Sequence, residues 1–389
     1  MDKKFKKLKI KELAEVVTGG TPSTKKKEYW ENGNIPWLPS GACKDKVINV
    51  ADSFITSLGL ENSSAKMMPK GTVVIALTGA TTGKLGILGF EACANQSVTG
   101  IIPNDKFNNK YIFYYLKSIR EKILFDSYGG AQKHISQGYV KDIDIVLPDI
   151  KIQHNIVYIL EKSQKLIDKR KEQIGKLDLL VKSKFIEMFG DPVKNQKKLA
   201  KVKLSELGEW KTGGTPLRSK SEYYNGNIPW LSSGELNNKY CFKSNEMITE
   251  SAIIESAAKI IEVGSLLLGM YDTAALKSTI NMIECSCNQA IAYSKLNENL
   301  VNTVYVYYCI QIGKEFYKSQ QRGVRQKNLN LSMIKGLEIL MPELELQNQF
   351  AEFVKRVDKL KFEMEKSLKE LEDNFNSLMQ KAFKGELFK

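Results

Sequence analysis

Thr18-Gly-Gly-Thr-Pro22 recurs as Thr212-Gly-Gly-Thr-Pro216, and Asn34-Ile-Pro-Trp-Leu38 recurs behind it as Asn227-Ile-Pro-Trp-Leu231. The first pair lies 194 positions apart and the second 193 (212 − 18 and 227 − 34). Such a period is too long for a solenoid unit and fits one domain. The chain therefore reads as a tandem duplication, suited to two similar ligands or to one ligand with two halves.

The duplication continues past these motifs. Gly71-Thr-Val-Val-Ile-Ala76 falls on Gly264-Ser-Leu-Leu-Leu-Gly269, a glycine turn followed by a buried-strand pattern. Lys84 falls on Lys277, Asn95-Gln-Ser-Val98 on Asn288-Gln-Ala-Ile291, and Tyr114-Tyr115 on Tyr307-Tyr308 within helical spacing. Gln132-Lys133 meets Gln326-Lys327 ahead of two strand-like runs, Ile143 to Pro148 and Leu337 to Pro342. Short strands, glycine-rich turns and one or two helices predict an α+β domain in each copy.

After each of those prolines the apolar period changes to 3.5. The first series is Ile152, Ile156, Ile159, Leu166, Ile174, Leu177, Val181, Phe185 and Met188. The second is Leu346, Phe350, Phe353, Val357, Leu360, Met364, Leu368, Leu371, Phe375 and Leu378. Steps of three and four without an internal proline predict a coiled-coil seam on helices of about 40 residues, roughly 60 Å long. The first seam is the weaker, with Ser163 and Arg170 where the second has Val357 and Met364. Connectivity favours helices that run back antiparallel; two segments are too few for a compact bundle. The expected boundaries are residues 1–148 and 191–342 for the domains, and 149–190 and 343–389 for the helices.

Composition narrows the partners. The 389 residues carry a formal net charge of +14, which favours a polyanion, nucleic acid before anionic membrane. No apolar run reaches a membrane span of roughly 18 residues, and Met1 to Leu8 carries charge with no apolar stretch behind it. A cytoplasmic protein is expected. The cysteines Cys43, Cys93, Cys241, Cys285, Cys287 and Cys309 form no CxxC pairs, and Cys285-Ser-Cys287 lacks a second Cys/His pair, so free thiols are expected rather than zinc.

The ordered set of motifs resembles the specificity subunit of type I restriction–modification enzymes. It comprises Thr-Gly-Gly-Thr-Pro, Ile-Pro-Trp-Leu, Gly79-Ala-Thr-Thr-Gly-Lys84, Asn-Gln-Ser/Ala, Leu147-Pro-Asp-Ile-Lys-Ile-Gln153 and Glu187-Met-Phe-Gly-Asp191. The resemblance spans essentially the whole chain. It implies two target recognition domains that each read half of a split double-stranded DNA sequence, and helices that space them and dock two adenine-N6 methyltransferase subunits. Restriction and translocase subunits then complete the complex. S-adenosylmethionine, ATP and magnesium would belong to those partners, and no cofactor to this chain. A two-fold arrangement matches half-sites about one helical turn, roughly 34 Å, apart. Because the domains differ, an asymmetric bipartite target is expected.

Gly79 to Lys84 fails as a nucleotide-binding loop: three residues separate its glycines and Leu85 stands where Ser or Thr would hold magnesium. Its counterpart Asp272 to Lys277 has lost both glycines. Lys84 and Lys277 are therefore candidate phosphate contacts, or else solvated loop lysines. The stretch holding Gln132, Lys133 and His134 aligns with that holding Arg322, Arg325, Gln326, Lys327 and Asn328. Arg suits guanine, and Gln or Asn suits adenine, so these polar loops are the candidate base readers. Lys25 reads as phosphate steering or as part of a solvated face. Thr21, Pro22, Trp37 and Trp230 read as structural, with an indole stacked on a base as the other reading. His134 and His154 lack any pattern of a catalytic base or metal ligand.

An adenine methyltransferase would show an Asn/Asp-Pro-Pro-Tyr/Phe motif and a glycine-rich cofactor loop, and the sequence has neither. A non-catalytic DNA reader is expected. A protein-binding scaffold with duplicated domains is the alternative, and salt separates them, because only the DNA reader loses affinity steeply as ionic strength rises.

Overall fold

The computed structural model describes residues 5–128, 133–271, 274–319 and 328–387. Of the expected recognition residues, Gln132, Arg322, Arg325, Gln326 and Lys327 lie outside these ranges. The chain forms two compact units, Met1–Lys171 with Lys366–Lys389, and Glu172–Glu365. Each is α+β.

In the first unit a five-stranded sheet runs in the order Val16–Thr18, Val98–Ile101, Val73–Ala76, Leu85–Leu88 and Lys46–Ile48. All pairs are antiparallel except the last, where Lys46 lies parallel beside Gly86. The positive φ of Gly71 (+90°) sets the turn into Val73–Ala76, a backbone conformation that favours glycine. That strand is buried at every position, so both faces of the sheet are covered. Val73 and Ile75 join a core with Tyr111, Ile112 and Ile156. Val74 and Ala76 join Val17, Leu38 and Met68 on the other side. A three-stranded sheet follows the order Ser53–Ile55, Ile35–Leu38 and Cys93–Ala94, and a ribbon pairs Phe5–Lys9 with Asp144–Pro148.

The second unit repeats this order. Its five strands are Lys211–Thr212, Ile291–Ser294, Leu266–Gly269, Ser278–Asn281 and Tyr240–Cys241. Its three are Glu246–Ile248, Tyr224–Leu231 and Ser286–Cys287, and its ribbon pairs Lys201–Lys203 with Glu338–Leu340. Gly264 (φ +81°) takes the place of Gly71. Tyr224–Leu231 is longer than Ile35–Leu38 and carries a register shift between Tyr224 and Ile228.

The two long helices are Ile150–Phe189 and Leu344–Phe383, each of 40 residues. Within the first unit Ile156, Leu160 and Ile167 share a core with Phe375, Met379 and Ala382 of the second helix. Lys171 pairs there with Glu372 at 2.7 Å. Within the second unit Leu177, Val181, Phe185 and Phe189 meet Phe350, Val354 and Val357, and Lys361 bonds Asp178 at 2.7 Å. In both units the helices pack together antiparallel.

The buried stripe is not the seam expected at every position. Leu166 and Leu360, equivalent at a shift of 194 (360 − 166), are 54% and 50% exposed. Leu160, Ile167 and Val354 take the buried places instead. An α-helix has 3.6 residues per turn, so a strict 3.5 series drifts round the helix by about 20° per heptad. Single steps of four, each advancing the stripe by about 40°, offset that drift, as from Ile156 to Leu160 and from Phe350 to Val354. Ile156, Leu177, Val181, Phe350 and Val357 are buried as seam residues, while Ile152, Ile159, Ile174, Leu346, Phe353, Met364 and Leu371 are half-buried.

One device fixes each domain to the helix that leaves it. Gln153 is buried; its side-chain carbonyl accepts from the Asn108 amide at 2.8 Å, and its Nε2 donates to the Pro148 carbonyl at 2.8 Å. Gln347 does the same with Asn302 at 3.0 Å and Pro342 at 2.8 Å. Asn108 and Asn302 in turn cap the helices Asn109–Ser118 and Thr303–Ile312.

Candidate nucleic-acid interface

Strand directions bring several loops to one end of the five-stranded sheet in the first unit. Thr18 lies opposite Thr99, Ala76 opposite Val98, Ile75 opposite Leu85, and Lys46 beside Gly86. The loops leaving that end are 19–22, 77–84 and 95–97, with 44–45 entering it. The segment around His134 joins them: Ile135 N donates to Leu77 O at 2.9 Å and Gly79 N to Lys133 O at 3.0 Å. The Thr82 hydroxyl also donates to Lys133 O, at 2.8 Å. Two stretches about fifty residues apart in sequence, both expected to approach DNA, thus form one surface.

Lys84 is exposed there and makes no ion pair among the described residues. Lys44, Lys46 and Lys133 are exposed beside it, and Lys25 stands on the loop that follows Pro22. Lys133 Nζ reaches Leu124 O at 3.4 Å. His134 is half-buried and packs edge-on to Tyr128, with ring centroids 5.0 Å apart. The Lys84 loop is fixed from behind. Arg120 donates from Nε to Gly83 O at 2.9 Å and forms a bidentate pair with Asp45, which accepts from Leu85 N at 3.1 Å. Gly79 (φ +68°) and Gly83 (φ +75°) supply the turns.

The second unit builds the same end with other side chains. Leu329 N donates to Met270 O at 2.8 Å, and Tyr271 bridges Asn328 as Thr78 bridges His134. Leu276 occupies the place of Gly83 with φ +55°, a conformation costly for a non-glycine residue. Gln311 caps its carbonyl at 3.0 Å in place of an arginine. Lys277 is half-buried and donates to Asn237 Oδ1 at 2.9 Å. Lys239 turns inward to Asp358 at 2.7 Å and the Tyr308 hydroxyl at 3.1 Å; burial lowers its pKa, while Asp358 raises it. The two ends therefore share a frame and differ in the groups they present.

The repeated motif stands at this end as a buttress. The Trp37 indole donates to Gly20 O at 2.9 Å and the Trp230 indole to Gly214 O at 3.0 Å. A Cβ on Gly20 or Gly214 would lie 2.3 or 2.2 Å from the backbone of Ser64 or Ala257, so both positions need glycine. In the second unit Arg218 lies over Tyr224 and Trp230 at 4.7 and 5.0 Å and pairs with Glu246. In the first, Trp30 packs edge-on to Trp37 at 5.1 Å. Asp45, Arg120 and Gln96 also stand at this end, and only the last carries a mark in the sequence, the repeated Asn-Gln pair.

Comparison with known proteins gives a consistent result. The family model described as type I restriction modification DNA specificity domain matches residues 2–177 and again 196–373. The chain is 25% identical to the type I restriction enzyme MjaIX specificity subunit of Methanocaldococcus jannaschii, over 97% of this chain and 92% of that one. Among solved structures it is similar to a chain from a study of complex assembly and conformational transition of the type I restriction–modification system. There the TM-score is 0.67 and the identity 15%, over 100% of this chain and 99% of that one. It is also similar to the S subunit of a type I system from M. genitalium, with a TM-score of 0.52 and 17% identity over 97% and 96% of the two chains. No helix among the described residues is long and apolar enough to cross a membrane.

Proposed function

The chain belongs to the type I restriction–modification DNA specificity family, and on that footing we propose that it is the sequence-reading, non-catalytic subunit of such a system. It recognises an asymmetric bipartite DNA target, one half with each unit, and positions two adenine-N6 methyltransferase subunits and the restriction subunits on it. S-adenosylmethionine is bound by the methyltransferase partners, and ATP with magnesium by the motor nuclease. The observation that carries this reading is the sheet end built twice on one frame with different side chains, Thr78 and His134 against Tyr271 and Asn328. A shared frame gives both units the same approach to the duplex, and different groups give the halves different sequences.

Lys84 serves as a phosphate contact in the first unit, with Lys25 steering. Lys133 and His134 lie where a base edge or backbone would pass, and Asn328 takes that place in the second. Arg322, Arg325, Gln326 and Lys327 are assigned to the second half-site from sequence, as is Gln132 to the first; Lys277 has the equivalent place to Lys84. The test is to express the chain with its methyltransferase partner and map N6-methyladenine across a host genome. One split, asymmetric motif is expected. Methylation at a continuous palindrome, or none above background, overturns the reading.

A further inference from the structure

Thr21 donates its hydroxyl proton to the side-chain carbonyl of Gln96, and Thr215 does the same to Gln289. The pairs are equivalent, at shifts of 194 (215 − 21) and 193 (289 − 96), and both glutamines are exposed. A hydrogen bond between exposed side chains adds little to stability, so folding does not explain the pair. The local turn does not need it either. That turn is closed by the preceding asparagines, with Asn95 Oδ1 accepting from Ser97 N at 3.1 Å and Asn288 Oδ1 from Ala290 N at 3.2 Å. Neighbouring positions have diverged between the units: Ser97 against Ala290, Thr24 against Arg218, Thr78 against Tyr271.

The bond has a chemical consequence. With its carbonyl oriented by the threonine, each glutamine presents the two N–H donors of Nε2, which have no partner among the described residues, and at most one further lone pair on its oxygen. It is therefore aimed at an acceptor. Its place is at the same sheet end as Lys84 and His134, because Leu77 N donates to Ser97 O at 2.8 Å and Met270 N to Ala290 O at 2.9 Å. DNA offers acceptors there as phosphate oxygens, purine N7 and the carbonyls O4 and O6.

We propose that Gln96 and Gln289 are matched DNA contacts, each donating from a threonine-oriented amide to the same kind of acceptor in its own half of the target. The proposal rests on the assignment of this sheet end to DNA. It gives the repeated Thr-Gly-Gly-Thr-Pro a second task, since the second threonine of the motif orients the donor. A contact identical in both units cannot separate two different half-sites. It holds both units at one height and register on the duplex.

The test uses the full chain in complex with its methyltransferase, and two duplexes, one carrying the mapped motif and one scrambled. Gln96→Ala is expected to weaken binding by about tenfold. Gln96→Glu should weaken it further, because a carboxylate offers only acceptors. Equal loss on both duplexes identifies a phosphate oxygen. Loss on the motif alone, with one position of one half-site relaxed in the methylation map, identifies a base edge. Gln96→Met keeps the length and removes only the polar groups, and serves if the glutamate disturbs the fold. Wild-type affinity and an unchanged motif in both Gln96→Glu and Gln289→Glu overturn the proposal alone. A wild-type complex without sequence preference overturns the proposed function instead.

Discussion

Lys84 and Lys277 show how equivalent residues acquire different work. Lys84 projects from a loop whose backbone is fixed by Arg120 and Asp45, so its charge is held at the sheet end without being neutralised. Lys277 spends a donor on Asn237. Lys84→Ala should therefore weaken binding to all duplexes alike and flatten the slope of log K against log salt by about 0.9, one phosphate contact. Lys277→Ala should flatten it less. Titrations of a labelled duplex at several salt concentrations measure both; a sequence-dependent loss in Lys84→Ala would make it a base reader. The indoles of Trp37 and Trp230 act behind this surface, where their bonds to Gly20 and Gly214 hold the threonine loops in place.

At the scale of elements, the junction of each domain with its outgoing helix depends on one buried glutamine. Replacing Gln153 by Leu would strand the Asn108 amide and the Pro148 carbonyl without partners. The expected cost is about 1–3 kcal/mol, read as a lower urea midpoint, with Gln347→Leu costing a similar amount. An unchanged midpoint in both would show that apolar packing alone secures the junction. The elements most legible in the sequence were those with a local signature. Gly71 and Gly264 announced the turns into the buried strands, and the apolar runs after Pro148 and Pro342 announced the helices. Pairings over distance were not legible. Nothing local tells that Lys46–Ile48 lies parallel at the sheet edge, or that Thr21 meets Gln96. The seam was legible only in part, since Leu166 and Leu360 fit a 3.5 series that a 3.6-residue helix turns outward. The sequence offered two separate loops as the candidate site, and nothing in it showed that they join through the backbone of Leu77 and Lys133.

For the molecule as a whole, what matters is which pieces of chain complete which unit. The first unit takes residues up to Lys171 and then residues from Lys366 onward, so the opening strand Phe5–Lys9 and the closing turns of the last helix belong to one body. Phe383 packs on Tyr111 and Tyr115 there, as Phe189 packs on Tyr305 in the second unit. Eleven residues (190–200) carry the chain from Phe189 to the ribbon strand at Lys201. Residues 384–389 followed by 1–4 would supply ten (6 + 4) between Phe383 and Phe5. The first unit is thus built from two stretches of chain that a short linker could join. A permuted chain running from residue 196 to 389 and then from 1 to 195 should fold with an unchanged circular dichroism spectrum and direct methylation to the same motif. Loss of the fold would show that the order of the two segments is required. If it folds, the order in which the two half-sites are encoded along the chain is something the duplex never sees.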